Sequence, residues 1–245
     1  MVMYLFKGCH MGTIINVFAI IVASILGVLF KKGLPEKIQK SVMLVLGLGL
    51  TALSLGWFLK DFLIVRAEGI VTHSDLLIIL SLVIGVIIGE WIDIDQRLNN
   101  WASHIEVKYK LPPLAKGFIT ATLVFCVGAM AIIGSIQDGL YGDITTLVIK
   151  STLDFITALI LASILGIGVI FSAFSVLIYQ GSITIAASYL DTFLTTEMIT
   201  AVSMVGNIIL IAIGINFMEL RKIKVANMIP AIFIPILYFF IISLF

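Results

Sequence analysis

The sequence predicts an all-α polytopic integral membrane protein of eight transmembrane helices, seven being the alternative count, and three observations carry that prediction. Of 245 residues, 61% are hydrophobic and 12% charged, against roughly 45–50% and 25% in soluble domains. Apolar stretches of about 20 residues follow one another, the length needed to cross a hydrocarbon core ~30 Å thick at ~1.5 Å per residue. Basic residues concentrate in alternate loops, as the positive-inside rule requires. The composition excludes a water-soluble enzyme. Fifteen basic against 14 acidic residues leave +1, so there is no basic surface for phosphates and nucleic acid is not an expected partner.

Taken in order, Met11 to Phe30, Ser41 to Leu59, Asp75 to Ile92 and Gly117 to Ile136 are four spans separated by charged or Gly/Pro-containing loops. Ile144 to Leu190 is too long for one crossing, and the pair Gly166 and Gly168 breaks it into a tight hairpin. Glu197 to Met218 and Val225 to Phe245 complete the eight, the last carrying Pro230 and Pro235, which packed membrane helices tolerate. With eight spans, Lys31, Lys32, Lys37, Lys40, Arg97, Lys108, Lys110, Lys116, Arg221, Lys222 and Lys224 fall on one side. Lys7, Lys60, Arg66 and Lys150 fall on the other. That asymmetry places both termini outside and the whole chain, 1–245, in one transmembrane domain.

Met1 to His10 lacks the uninterrupted apolar run and cleavage site of a signal peptide and reads as a short outer tail. Within 93–111, Ile94, Leu98, Trp101, Ile105 and Tyr109 recur at helical spacing and Pro112 and Pro113 follow. This predicts a cytoplasmic amphipathic helix, either interfacial or a soluble extension of the third span. Ala19–Val28 (AIIVASILGV) and Ala158–Ile167 (ALILASILGI) agree at seven of ten positions and share small residues four apart. The match raises a 4+4 parallel repeat, and chance similarity of apolar sequence is the alternative.

Polar groups at membrane depth are the candidate functional residues, since a charge at the bilayer centre costs ~2.5 to 3.5 kcal/mol on insertion scales. Asp154 lies half-way along its span, with Lys150 one turn earlier and spaced for an (i, i+4) pair. Gln180 and Asn207 sit at matching depth in the next two spans, so the four form a candidate substrate or ion site. Asn16, Gln137, Asp138 and Asn216 lie nearer the surfaces and are assigned to an access path, Gln137 and Asp138 as an outer mouth or a solvated helix stop. Cys9 and Cys126 stand far apart, and His10, His73 and His104 lack ligand spacing. No metal site or cofactor is therefore expected. Neither a GxxxxGK[ST] loop nor a GxSxG elbow is present, and Asp154 has no second mid-depth carboxylate, so no enzyme is expected.

The stretch Phe125 to Gly139, FCVGAMAIIGSIQDG, stands with Lys150-Ser-Thr-Leu-Asp154, Leu177-Ile-Tyr179-Gln180-Gly181, Gly214-Ile-Asn216 and Lys224-Val-Ala-Asn227-Met-Ile-Pro230. Together they resemble the bacterial YdfK-like membrane proteins, domain of unknown function 554, from Met11-Gly-Thr onward over nearly the whole chain. The resemblance implies a bacterial inner-membrane location and no particular activity. The residues themselves point to a secondary transporter or channel for a small solute or ion, with a non-transporting assembly or interaction scaffold as the alternative. Expected partners are membrane lipid and the solute or ion, with homo-oligomerisation left open.

Overall fold

A computed structural model of the chain describes residues 11–31, 35–66, 69–72, 74–109, 114–126, 129–190 and 195–242. Ten helices are described: α1 (Met11–Lys31), α2 (Glu36–Phe62), α3 (Asp75–Ile92), α4 (Ile94–Tyr109), α5 (Ala115–Cys126), α6 (Ala129–Tyr141), α7 (Thr145–Leu165), α8 (Ser172–Leu190), α9 (Thr196–Phe217) and α10 (Phe233–Ile242). Tight 3-10 segments, Ile167–Phe171 and Val225–Ile232, lead into α8 and α10. Seven spans are continuous, and α5 with α6, bent by 62°, makes an eighth if the pair crosses. Expectations that fall on 1–10, 110–113, 191–194 and 243–245, or on the side chains of Trp101, Ile105 and Tyr109, lie outside the described residues.

Contacts group the chain into two compact units, Met1–Gln39 with Asn99–Leu194 and Lys40–Leu98 with Thr195–Phe245. In the first unit α1 and α7 run parallel, since Gly12 lies against Leu147 and Gly27 against Leu159 and Ala162. The two segments of similar sequence therefore meet through their small residues, and a Cβ on Gly27 would fall 2.3 Å from the Leu159 carbonyl oxygen. Small side chains allow this approach, which brings helix backbones into dispersion contact where lipid supplies no hydrophobic drive. The long apolar region turns back at Gly166, whose φ of 83° and ψ of −159° belong to a region that essentially only glycine occupies.

Gly117 to Ile136 is not one straight helix, since its described parts, α5 and α6, are bent by 62° from one another. Thr122 hydrogen-bonds Ser175 near the start of α8, and Gly139 packs on Thr184 and Ala187 near its end. The two half-helices therefore follow α8 along the unit as one bent crossing, which favours the count of eight.

In the second unit α2 and α9 run antiparallel, the Asp61 carboxylate accepting the Ser203 hydroxyl at 2.8 Å while Gly47 faces Gly214. Gly85 and Gly89 of α3 press on the backbone of Ala231 and Asn227. Helix α2 starts earlier than the span it contains, with Glu36 in its first turn where the helix dipole favours an acid. The loop between α2 and α3 is also more ordered than its sequence reading. Strands β1 (Leu63–Arg66) and β2 (Gly69–Thr72) pair antiparallel, Ile64 opposite Val71, because β-branched residues on each side suit a pleated ladder. This hairpin is the one departure from an all-α chain among the described residues. Large apolar side chains such as Trp91 (89% exposed) and Leu76 face outward on α3, as lipid contact requires.

Candidate functional site

The first unit gathers its polar side chains between α1, α7 and α8. Lys150 and Asp154, one turn apart on α7, form an ion pair and are only 6% and 7% exposed. Asn16 of α1 reaches the pair from the neighbouring helix, its Nδ2 donating to Asp154 Oδ2 at 3.0 Å and to Gln180 Oε1 at 3.2 Å. The Thr13 and Thr184 hydroxyls meet 3.4 Å apart, nearer the start of α1 and the end of α8. Asn16 of α1 thus links the buried carboxylate of α7 to Gln180 of α8. Asn16 Oδ1 and Gln180 Nε2 are buried with no hydrogen-bond partner.

Each group has a local reason to be where it is. Thr13 and Asn16, and equally Gln180 and Thr184, are three or four residues apart, so each pair lies on one helix face. The antiparallel run of α1 against α8 then sets them opposite one another as a ladder. Asp138 in α6 accepts the Gly12 N–H at 3.1 Å, satisfying one of the donors that the first turn of α1 cannot bond internally. Outside the spans, Asp143 is held below the usual carboxylate range, first by the Thr145 hydroxyl and then by the Thr145 N–H. Lys224 is raised by its hydrogen bond to Glu90 and the nearby Asp93 charge. Among the described residues no group of three or more His, Cys, Asp or Glu side chains is arranged to hold a metal ion.

The family model described as "Protein of unknown function (DUF554)" matches residues 11–240. The chain belongs to this family. It is similar to the uncharacterized membrane protein YdfK of Bacillus subtilis (strain 168), 32% identical over 237 residues, which cover 96% of this chain and 97% of that protein. It is also similar to the uncharacterized protein YqgA of Escherichia coli (strain K12), 29% identical over 228 residues, with 90% and 92% covered. No solved structure matches the chain.

Within this DUF554 chain the candidate residues separate into groups. Lys150, Asp154 and Gln180 come together, and Asn16, assigned from sequence to an access path, is the residue that joins them. Asn207 belongs to the second unit, where its amide donates to Ser203 at 3.4 Å. Asp138 is 6% exposed inside α6, which corrects its reading as a solvated helix stop, and Gln137 accepts from the Thr146 hydroxyl at 2.7 Å. Asn216 clasps Ile223, accepting its N–H and donating to its C=O, both at 2.8 Å. Those two hydrogen bonds pin the turn after α9. Sequence reasoning missed Thr13, Thr184 and the Asp61–Ser203 pair. The three- and four-residue polar spacing on α1 and α8 was the available signal for the first two.

Proposed function

We propose that this DUF554 protein is a secondary transporter or channel for a small solute or ion, acting through the Asn16, Lys150, Asp154 and Gln180 cluster. One observation carries the reading: two buried amides beside a buried ion pair each keep a polar atom without a partner. Polar groups that serve packing alone satisfy one another, because each unmatched one costs about 1–3 kcal/mol. A ligand or water that supplies the missing bonds removes that cost. The bend between α5 and α6 supports the same reading, since broken helices in membranes occur where backbone lines a cavity or lies buried in protein. The setting we infer is a bacterial cytoplasmic membrane, with the basic loops inside and both termini outside.

The test is flux in proteoliposomes over a panel of sodium, rubidium, chloride, acetate, urea and glycerol. Asp154→Asn should abolish movement of whichever probe the native chain carries. It also leaves the Lys150 ammonium buried and unpaired, at a cost of about 3–5 kcal/mol, which adding Lys150→Met should largely relieve. The double variant is decisive: restored thermal stability without flux supports transport through the pair. Flux at the native level in that variant would sink the reading, and a repaired fold with no flux from any form of the chain would favour the scaffold.

A further inference from the structure

The cluster in the first unit has a hydrogen-bonding pattern and charge balance that select among ligands, and the inference below rests on the transport reading. We infer that the site takes an uncharged polar solute carrying both a donor and an acceptor, of the amide and urea class, in preference to a bare ion. Charge gives the first reason. Lys150 and Asp154 are opposite in sign, paired and buried, so the site is neutral before anything binds. An added cation or anion would be an uncompensated charge in a medium of low dielectric, whereas an uncharged solute leaves the balance unchanged.

Hydrogen bonding gives the second reason, independently of charge. An ionised carboxylate only accepts, so Asp154 obliges Asn16 to turn its Nδ2 toward it, and the same NH2 group reaches Gln180 Oε1. The carboxylate thereby dictates the orientation of both amides. What remains is one acceptor, Asn16 Oδ1, and one donor, Gln180 Nε2, on residues with no exposed surface. A bare cation suits the first and opposes the second, and an anion does the reverse. A primary amide or urea offers an N–H to Asn16 Oδ1 and a C=O to Gln180 Nε2. Toward the start of α1, the Thr184 hydroxyl donates to the Gln180 carbonyl at 2.9 Å and accepts from Thr13, so this pair offers a solute acceptors only.

The experiment uses the full chain in proteoliposomes, with acetamide and urea as uncharged probes and rubidium, sodium and acetate as ions. Native protein should pass acetamide and urea well above protein-free vesicles and leave the ions at background. Gln180→Met removes the donor, and Asn16→Leu removes the acceptor together with the amide that bonds Asp154. Each should lower acetamide flux about tenfold, the worth of one well-made hydrogen bond. A thermal melt in detergent confirms that each variant folds, and acetamide should raise the native melting temperature but not that of a variant. If ions pass and acetamide does not, the uncharged-solute inference is wrong while the transport reading stands. Acetamide flux that neither variant changes would overturn the site. If the folded native chain passes none of the probes, the transport reading fails and takes this inference with it.

Discussion

Asp138 and Gly12 are 126 positions apart, yet the carboxylate lies 3.1 Å from the glycine N–H. An acid at a helix N-terminus both satisfies a free donor and meets the positive end of the helix dipole. Asp138→Asn should therefore lower the stability of the detergent-solubilised chain by about 1–2 kcal/mol, read as a fall in melting temperature. An unchanged melt would mean that the contact does not hold α1. Asp143 gives a pH signature. Its pKa is depressed by Thr145, so its contribution is present above the unfolded carboxylate value and is lost as pH falls through the folded one. Melting temperature should drop on acidification below about pH 4, the unfolded carboxylate range, and Asp143→Asn should flatten that part of the curve. The same fall in the variant would assign the acid sensitivity to other carboxylates.

At the scale of elements, the parallel contact of α1 with α7 depends on the absence of a side chain at Gly27. A Cβ there meets backbone, 2.3 Å from the Leu159 carbonyl oxygen, and neither helix can yield without separating. Gly27→Ala should cost about 1–3 kcal/mol or more, as overpacked cores do. Gly49 of α2 is the control, since nothing lies within 4 Å of a Cβ there. Gly49→Ala should be neutral or stabilising by about 0.5–1 kcal/mol, the difference in helix propensity. Equal effects in a thermal melt would refute the close-packed seam. The asymmetry also locates the site: α1 approaches α7 closely enough for Asn16 to reach Asp154 because the seam carries glycine and alanine.

At the scale of the molecule, each unit collects its basic connections at one end. In the first, Lys31 closes α1, Lys116 opens α5 and the Gly166 turn lies near them through Gly117 and Gly27. In the second, Lys224 sits 3.3 Å from Glu90 at the end of α3. If these ends face the cytoplasm, a chain with Cys9 and Cys126 replaced should be labelled from outside intact cells at cysteines introduced for Ser74 and Thr195. A cysteine at Gln39 or Lys222 should react only after permeabilisation. Outside labelling at Lys222 would contradict the bent α5–α6 crossing and return the count to seven.

The membrane class, the spans and the hairpin at Gly166 were legible in the sequence, because each depends on properties local to a stretch of chain. Apolar length sets a crossing, glycine sets the turn and loop charge sets alternation. Asp154 was legible for the same reason: a carboxylate half-way along an apolar span is conspicuous wherever its helix packs. Its company was not. Asn16 lies 138 positions from Asp154 and 164 from Gln180, and depth counted along each span separately put it near the surface. The bend after Cys126 was equally hidden, since an apolar run that breaks looks like one that continues. Local composition determined which segments enter the membrane, and tertiary packing alone decided which polar groups meet, because helix contacts join faces whose separation along the chain carries no record of their distance in space.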